Sequence, residues 1–232
     1  SNKLTLNGAG QVNLGGTGAT TLTGSGEIVV SSGILQNNMQ TGSSASGRSG
    51  ATTLGGGTLS IATGISMFGT GAINLNSGSI GSFSGTGRDL GTANAVNIGG
   101  NVQIGGSVTN VLGSGYVRFG GATDLGGSVR TITTIASSVF TNNGAGAIFN
   151  GIVSNGGITK EGAGIMTLGN DGNTYAGATT VNAGNLAVST GALASSASLT
   201  IGATGVVSLG VNGTTNVNNL SGVSGSQIRT DF

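Results

Sequence analysis

Apolar and polar residues alternate along this chain in short runs, and each run follows a small-residue turn containing Gly-x-Gly. Clear copies read GSGEIVVSSG at 24–33, GTGAINLNSG at 69–78, GSGYVRFGG at 113–121 and GAGIMTLGN at 162–170, with looser ones at 8–16 and 56–64. Alternation over four to eight residues predicts half-buried strands. It places them at 4–6, 11–14, 27–30, 58–61, 72–75, 95–98, 102–104, 116–119, 130–135, 165–168, 178–181, 185–188, 198–201, 206–209 and 215–220. No stretch of helical period separates them. Many short strands joined by glycine-rich turns predict a solenoid wound from β-strands, in which each coil buries its inward residues against its neighbours. The predicted class is all-β, a parallel β-helix forming one domain over residues 1–232. At ~20 residues per coil it would have about ten to twelve coils and a length on the order of 50 Å. Residues 36–50, QNNMQTGSSASGRSG, are the least strand-like and are expected to form a loop, with 81–95 a second candidate.

Composition sharpens this picture. Glycine accounts for 50 of 232 residues, while Pro, Cys, Trp and His are absent and only 6% of residues are charged. Low charge with high glycine could mean disorder, but disorder goes with low hydrophobicity and high net charge. Here 36% of residues are hydrophobic, they alternate, and the net charge is +1. Glycine suits the corners, where it takes positive φ and lets backbones approach. Asparagine at turns, as at Asn142, Asn143 and Asn182, tolerates left-handed geometry and can stack in amide ladders. No basic stripe is present for nucleic acid, and no Lys/Arg-rich amphipathic helix for an anionic membrane. No segment reaches the ~18 consecutive apolar residues of a membrane span. A neutral hydroxyl and amide surface offers little repulsion between copies, which favours self-association.

Residues 156–188 read GGITKEGAGIMTLGNDGNTYAGATTVNAGNLAV. This stretch resembles the autotransporter-associated β-strand repeat, also called the passenger-associated transport repeat. The resemblance rests on Gly156, Gly157, Thr159, Lys160, Gly162, Gly164, Leu168, Asn173, Thr174, Tyr175, Gly177, Thr179, Thr180, Val181, Gly184, Leu186 and Val188. It implies a right-handed parallel β-helix in a large secreted or surface-displayed bacterial protein, with a role in passenger transport and folding rather than catalysis. It also implies that Tyr175 packs over a turn.

Candidate chemistry is sparse. A chain without Cys or His lacks the ligands of a typical zinc site and the base of a Ser–His triad. The carboxylates are Glu27, Asp89, Asp124, Glu161, Asp171 and Asp231, far apart in sequence. Glycan cleavage by general acid and base would need a close pair of them. Asp171, in GNDGN, is expected to be a hydrogen-bonded corner rather than a calcium ligand. Lys160-Glu161 and Arg88-Asp89 are expected to be solvated turn pairs. The aromatics Phe68, Phe83, Tyr116, Phe119, Phe140, Phe149 and Tyr175 could line a sugar-binding stripe, but their place in alternating strands favours the core. Sequons at Asn212 and Asn219 carry little weight in a bacterial protein.

The sequence thus predicts an extracellular or cell-surface structural protein with no catalytic, cofactor or metal site. Its expected partner is itself. Ser1–Leu4 has no signal-peptide core, as expected of a processed mature form or an excised fragment. The last residues read as the middle of a coil and neither end shows a polar cap, as expected of a segment of a longer repeat array or of ends covered by neighbouring copies. Rods would then join end to end near Leu4, Leu6, Ile228 and Phe232. The rival expectations are an adhesin passenger that contacts a glycan or cell surface through side loops, and a polysaccharide-processing enzyme.

Overall fold

A computed structural model describes residues 2–14, 21–37, 44–62, 68–83, 86–92, 94–107, 115–135, 145–193, 195–210 and 214–230. Every strand pairing in it is parallel, and among the described residues there is no helix. Among the described residues no helix is long and apolar enough to cross a membrane. An 18-stranded sheet contains both the strand Lys3–Leu6 and the strand Gln227–Arg229, so one system of ladders runs through the described chain. The fold is the predicted β-solenoid.

Three sets of ladders hold the stack together. In the first, Leu4, Ile28, Thr52, Ile73, Val96, Thr123 and Val153 face one another from turn to turn. In the second, Val12, Leu35, Leu59, Ile80 and Ile104 do the same. In the third, Val117, Ala147, Met166, Leu186, Val207 and Ile228 are aligned. Alternation thus sends one residue type into the same interior column at every level. Leu54, Ile73, Leu75, Ile98, Ile104, Leu168 and Val188 are all fully buried there.

The register sets the turn length. Thr179 faces Leu199, a step of 20 residues, but Ile28 faces Thr52, a step of 24, and Thr123 faces Val153, a step of 30. The stack therefore has about eight turns rather than the expected ten to twelve. The extra length of the 123–153 turn includes a corner at Leu125–Ser128, where the ladder loses register.

Several strand boundaries differ from the alternation. The predicted strands 178–181 and 185–188 are one strand, Thr179–Val188, and 198–201 and 206–209 are one strand, Leu199–Leu209. Each passes a corner within one strand, the first with Gly184 at a φ of 67°. The predicted strand 215–220 is instead Leu220–Gly222. The loop expected at 36–50 contributes the end of one strand, Ile34–Asn37, and all of another, Ser44–Arg48. SASGR has no apolar alternation to announce it. It is extended because Thr21–Gly24, one turn away, supplies its ladder.

Candidate functional site

The segment 156–188 is the one place where the sequence points to a specific motif, and its buried residues hold successive turns together. At its corner, Asn173 is buried and ties three turns together. Its Oδ1 accepts from the Val153 amide at 2.8 Å, and its Nδ2 donates to the Ala192 carbonyl at 3.1 Å. Tyr175 is fully buried, with its hydroxyl 3.0 Å from Thr179 Oγ1. Thr179 Oγ1 lies 2.9 Å from Ser196 Oγ, which stands 3.0 Å from the carbonyl oxygens of both Gly177 and Ser198. Burial pushes the Tyr175 phenol up to about 12. A buried hydroxyl must be partnered, and this network does so across two turns.

Lys160 overturns the expectation of a solvated turn pair. It lies in the strand Val153–Glu161 and points inward, in the column Val102, Ile132, Lys160, Val181, Ile201. It has no exposed surface. Its Nζ donates to the carbonyls of Glu161 at 2.9 Å, Gly162 at 2.7 Å and Ala183 at 2.9 Å. An ammonium has three donors and no acceptor, so this cage satisfies it fully. Burial lowers its pKa to about 8, with the Glu161 charge opposing the shift. The Glu161 carboxylate turns outward and accepts from Asn182 Nδ2 of the next turn at 2.6 Å. Sequence reasoning missed the cage because a Lys-Glu pair ahead of Gly-x-Gly looks like a polar turn. The signal was present in the alternation, since Lys160 shares parity with the buried Ile158.

The motif glycines sit where turns touch. A Cβ on Gly164 would lie 2.3 Å from the Ile135 carbonyl oxygen, and one on Gly177 would lie 2.5 Å from that of Gly156. Gly184 has φ of 67° and stands against the carbonyls of Gly162 and Gly164. On the outer surface Thr131, Thr159, Thr180, Thr200 and Ser221 form one hydroxyl column. Residues 158–188 match the family model of the passenger-associated-transport-repeat. Comparison with curated proteins gave no match, and neither did comparison with solved structures.

The passenger-associated transport repeat thus uses Asn173, Tyr175 and Thr179 as a corner staple, Lys160 as an internal cation, and Leu168, Val181, Leu186 and Val188 as core. No described residue outside it joins it into a cleft of convergent reactive groups. No two of the described carboxylates face each other in the ladders. Glu27 pairs with Lys3 at 3.7 Å and Asp89 with Arg118 at 3.1 Å. Asp124 accepts from Asn155 Nδ2, and Glu161 faces Thr133 in the register. Asp171 lies exposed in the turn beside Gly172, and Asp231 falls outside the described residues. Among the described residues no group of three possible metal ligands exists.

Arg88-Asp89, expected to be solvated, forms a short half-buried strand paired with Val117 and Arg118. Arg88 Nε donates to the Ile61 carbonyl at 3.1 Å, and burial lowers its pKa. Phe68, Phe119, Phe149 and Tyr175 are buried in the core, while Phe83 and Tyr116 are half-buried. Phe140, Asn142, Asn143, Asn212 and Phe232 lie outside the described residues.

Two titrations of opposite sign give this fold an alkaline stability profile. In the unfolded chain the Lys160 amine keeps its proton to about 10.5, and in the fold only to about 8. Between those values the unfolded state binds more protons, so stability rises with pH. Tyr175 acts the other way. It holds its proton to about 12 in the fold and to about 10 unfolded, so stability falls above pH 10. Urea midpoints measured from pH 7 to 11 are expected to peak near pH 10. The rising limb, on the order of 3 kcal/mol at full extent, is expected to vanish in Lys160→Met. A native profile flat from pH 8 to 10 would contradict the buried amine.

Proposed function

We propose that this chain is a structural stretch of a secreted or surface-displayed bacterial passenger, without catalysis, and that it self-associates end to end. The observation that carries the first part is the passenger-associated transport repeat, built into a continuous β-solenoid. Stacked strand ladders and aliphatic columns make a rod in which stability is summed turn by turn. The dispersed carboxylates favour a scaffold over a glycan-cleaving site, which needs two of them close together.

Self-association is supported by the terminal turns. Among the described residues Lys3–Leu6 and Leu220–Gly222 each pair on one side only. Leu4, Val12, Leu220 and Ile228 are exposed by 46%, 39%, 58% and 46%, although Leu6 is buried. A cavity of about 280 Å³ opens beside Lys3, Leu4, Leu14 and Arg48, and one of about 370 Å³ beside Leu220 and Ile228. An open parallel edge with exposed apolar residues is a template for a further strand. Electron microscopy across a dilution series tests the joint. Fibres with an axial repeat near one rod length are expected. Isolated rods at every concentration would overturn end-to-end assembly and leave the passenger reading, in which further turns of a longer polypeptide cover these edges.

A further inference from the structure

Two periodic features set the outline of the repeat, and neither fixes its register against the next turn. The inward column alternates with period two, through Ile158 and Lys160 on one turn and Thr179 and Val181 on the next. A slip of one residue would turn the core outward, but a slip of two keeps every side chain on its face. The corner is degenerate in the same way. Gly162 and Gly164 are two residues apart, and a Cβ on Gly184 would lie 2.4 Å from the first carbonyl oxygen and 2.6 Å from the second. Either glycine can therefore stand beneath that corner. In the outer column Thr159 faces Thr180, and Asn182 donates to Glu161 at 2.6 Å.

Lys160 breaks the degeneracy. Its stem fills a column otherwise made of Val and Ile, and its ammonium has no exposed surface. Two of its three acceptors, the Glu161 and Gly162 carbonyls, belong to its own turn. The third, the Ala183 carbonyl at 2.9 Å, belongs to the next. A slip of two residues carries the Ala183 carbonyl about 7 Å along the strand. The ammonium then loses the acceptor that the next turn gives it in the observed alignment. Leaving a buried charge incompletely paired is among the most costly single errors in a fold. Apolar side chains at this position would carry no such penalty.

We infer that Lys160 is a register determinant of this repeat: its caged ammonium, beside the cross-turn bonds of Asn173 and Asn182, favours one alignment of the turn 158–164 on the turn 179–186 from two that the apolar and glycine patterns permit. Buried polar groups that fix alignment at some cost in stability are the best-attested use of interior charge. Across the same interface Asn173 accepts from the Val153 amide at the preceding corner and Asn182 donates to Glu161 on the outer face, while the network of Tyr175, Thr179 and Ser196 acts one interface further on, toward Ser198.

The absence of native cysteine allows a direct test. Thr159→Cys with Thr180→Cys reports the observed register, and Thr159→Cys with Asn182→Cys reports the alignment displaced by two. Both pairs are placed in the full chain and treated with a short bifunctional thiol cross-linker, then mapped by mass spectrometry. With Lys160 present, the 159–180 product is expected to dominate. In Lys160→Met the ratio of the two products is expected to fall toward one, with strand content by circular dichroism retained. Lys160→Gln, which keeps two donors on a shorter stem, supplies the second arm should Lys160→Met not fold, and is expected to give an intermediate ratio. An unchanged ratio in a folded variant of either kind overturns the inference, because the remaining pattern would then suffice.

Discussion

Gly50→Val should destabilise the protein by about 3 kcal/mol or more. The corner before the first ladder is a column of backbones in near contact. A Cβ on Gly50 would lie 2.0 Å from the Gly26 carbonyl oxygen, and one on Gly71 would lie 2.0 Å from that of Gly50. No flexible side chain is there to yield. Two turns must separate, and the bonds beside the corner, Ile28 N to Ala51 O at 3.0 Å and Thr52 N to Ala72 O at 2.9 Å, are strained with them. Overpacking a close-packed interior typically costs about 1–3 kcal/mol, and the cost is greatest where backbone is the obstacle. Gly8→Val is the control, since a Cβ there meets nothing within 4 Å. It should stay within about 0.5 kcal/mol of the parent. Urea unfolding of both variants decides the matter. Equal midpoints would mean that the corners are not in contact in solution.

Phe149→Ala should cost about 3–5 kcal/mol. Phe149 and Phe119 are buried in one column of the third ladder, and their rings stack at 5.1 Å with 15° between planes. Truncating one ring removes its transfer energy, leaves a cavity, and strips the other ring of its partner. The loss should be non-additive with Phe119→Ala, with a coupling of about 0.5–1.5 kcal/mol. In a solenoid the damage should also be local. Amide exchange should accelerate first at Val117–Phe119 and Ile165–Leu168, the strands that flank Ala145–Phe149, while turns near Leu54 and Leu75 keep their protection. Uniform loss of protection along the whole chain would show that the rod unfolds as one unit instead.

Both predictions concern packing because the described residues put their chemistry into packing. The polar groups that a sequence reader would inspect for function are used between turns. Asn173 staples a corner, and Tyr175 closes a hydroxyl network across two turns. Arg48 is buried with its guanidinium on the carbonyls of Gly26, Ala51 and Phe68, and burial lowers its pKa. A ladder of side chains runs along the first face, where Asn97 donates to Asn74, Asn74 to Thr53 and Thr53 to Glu27. Most of these bonds join residues about one turn apart, so the stacking of turns itself supplies their partners.

The chain's alternation by itself determined the class of fold, most strand positions and the repeat at 156–188. Those features depend on local period and on glycine at corners, and both are written in consecutive residues. It could not determine which residues lie one turn apart, because register is a property of two segments separated by 20 to 30 residues. That separation hid the strand Ser44–Arg48, which has no apolar signal and is held by Thr21–Gly24. It also hid the pairing of Asp89 with Arg118. Lys160 shows the same division within one residue. Its parity with Ile158 already sent it inward, but only the following turn supplies the Ala183 carbonyl that makes a buried ammonium tolerable.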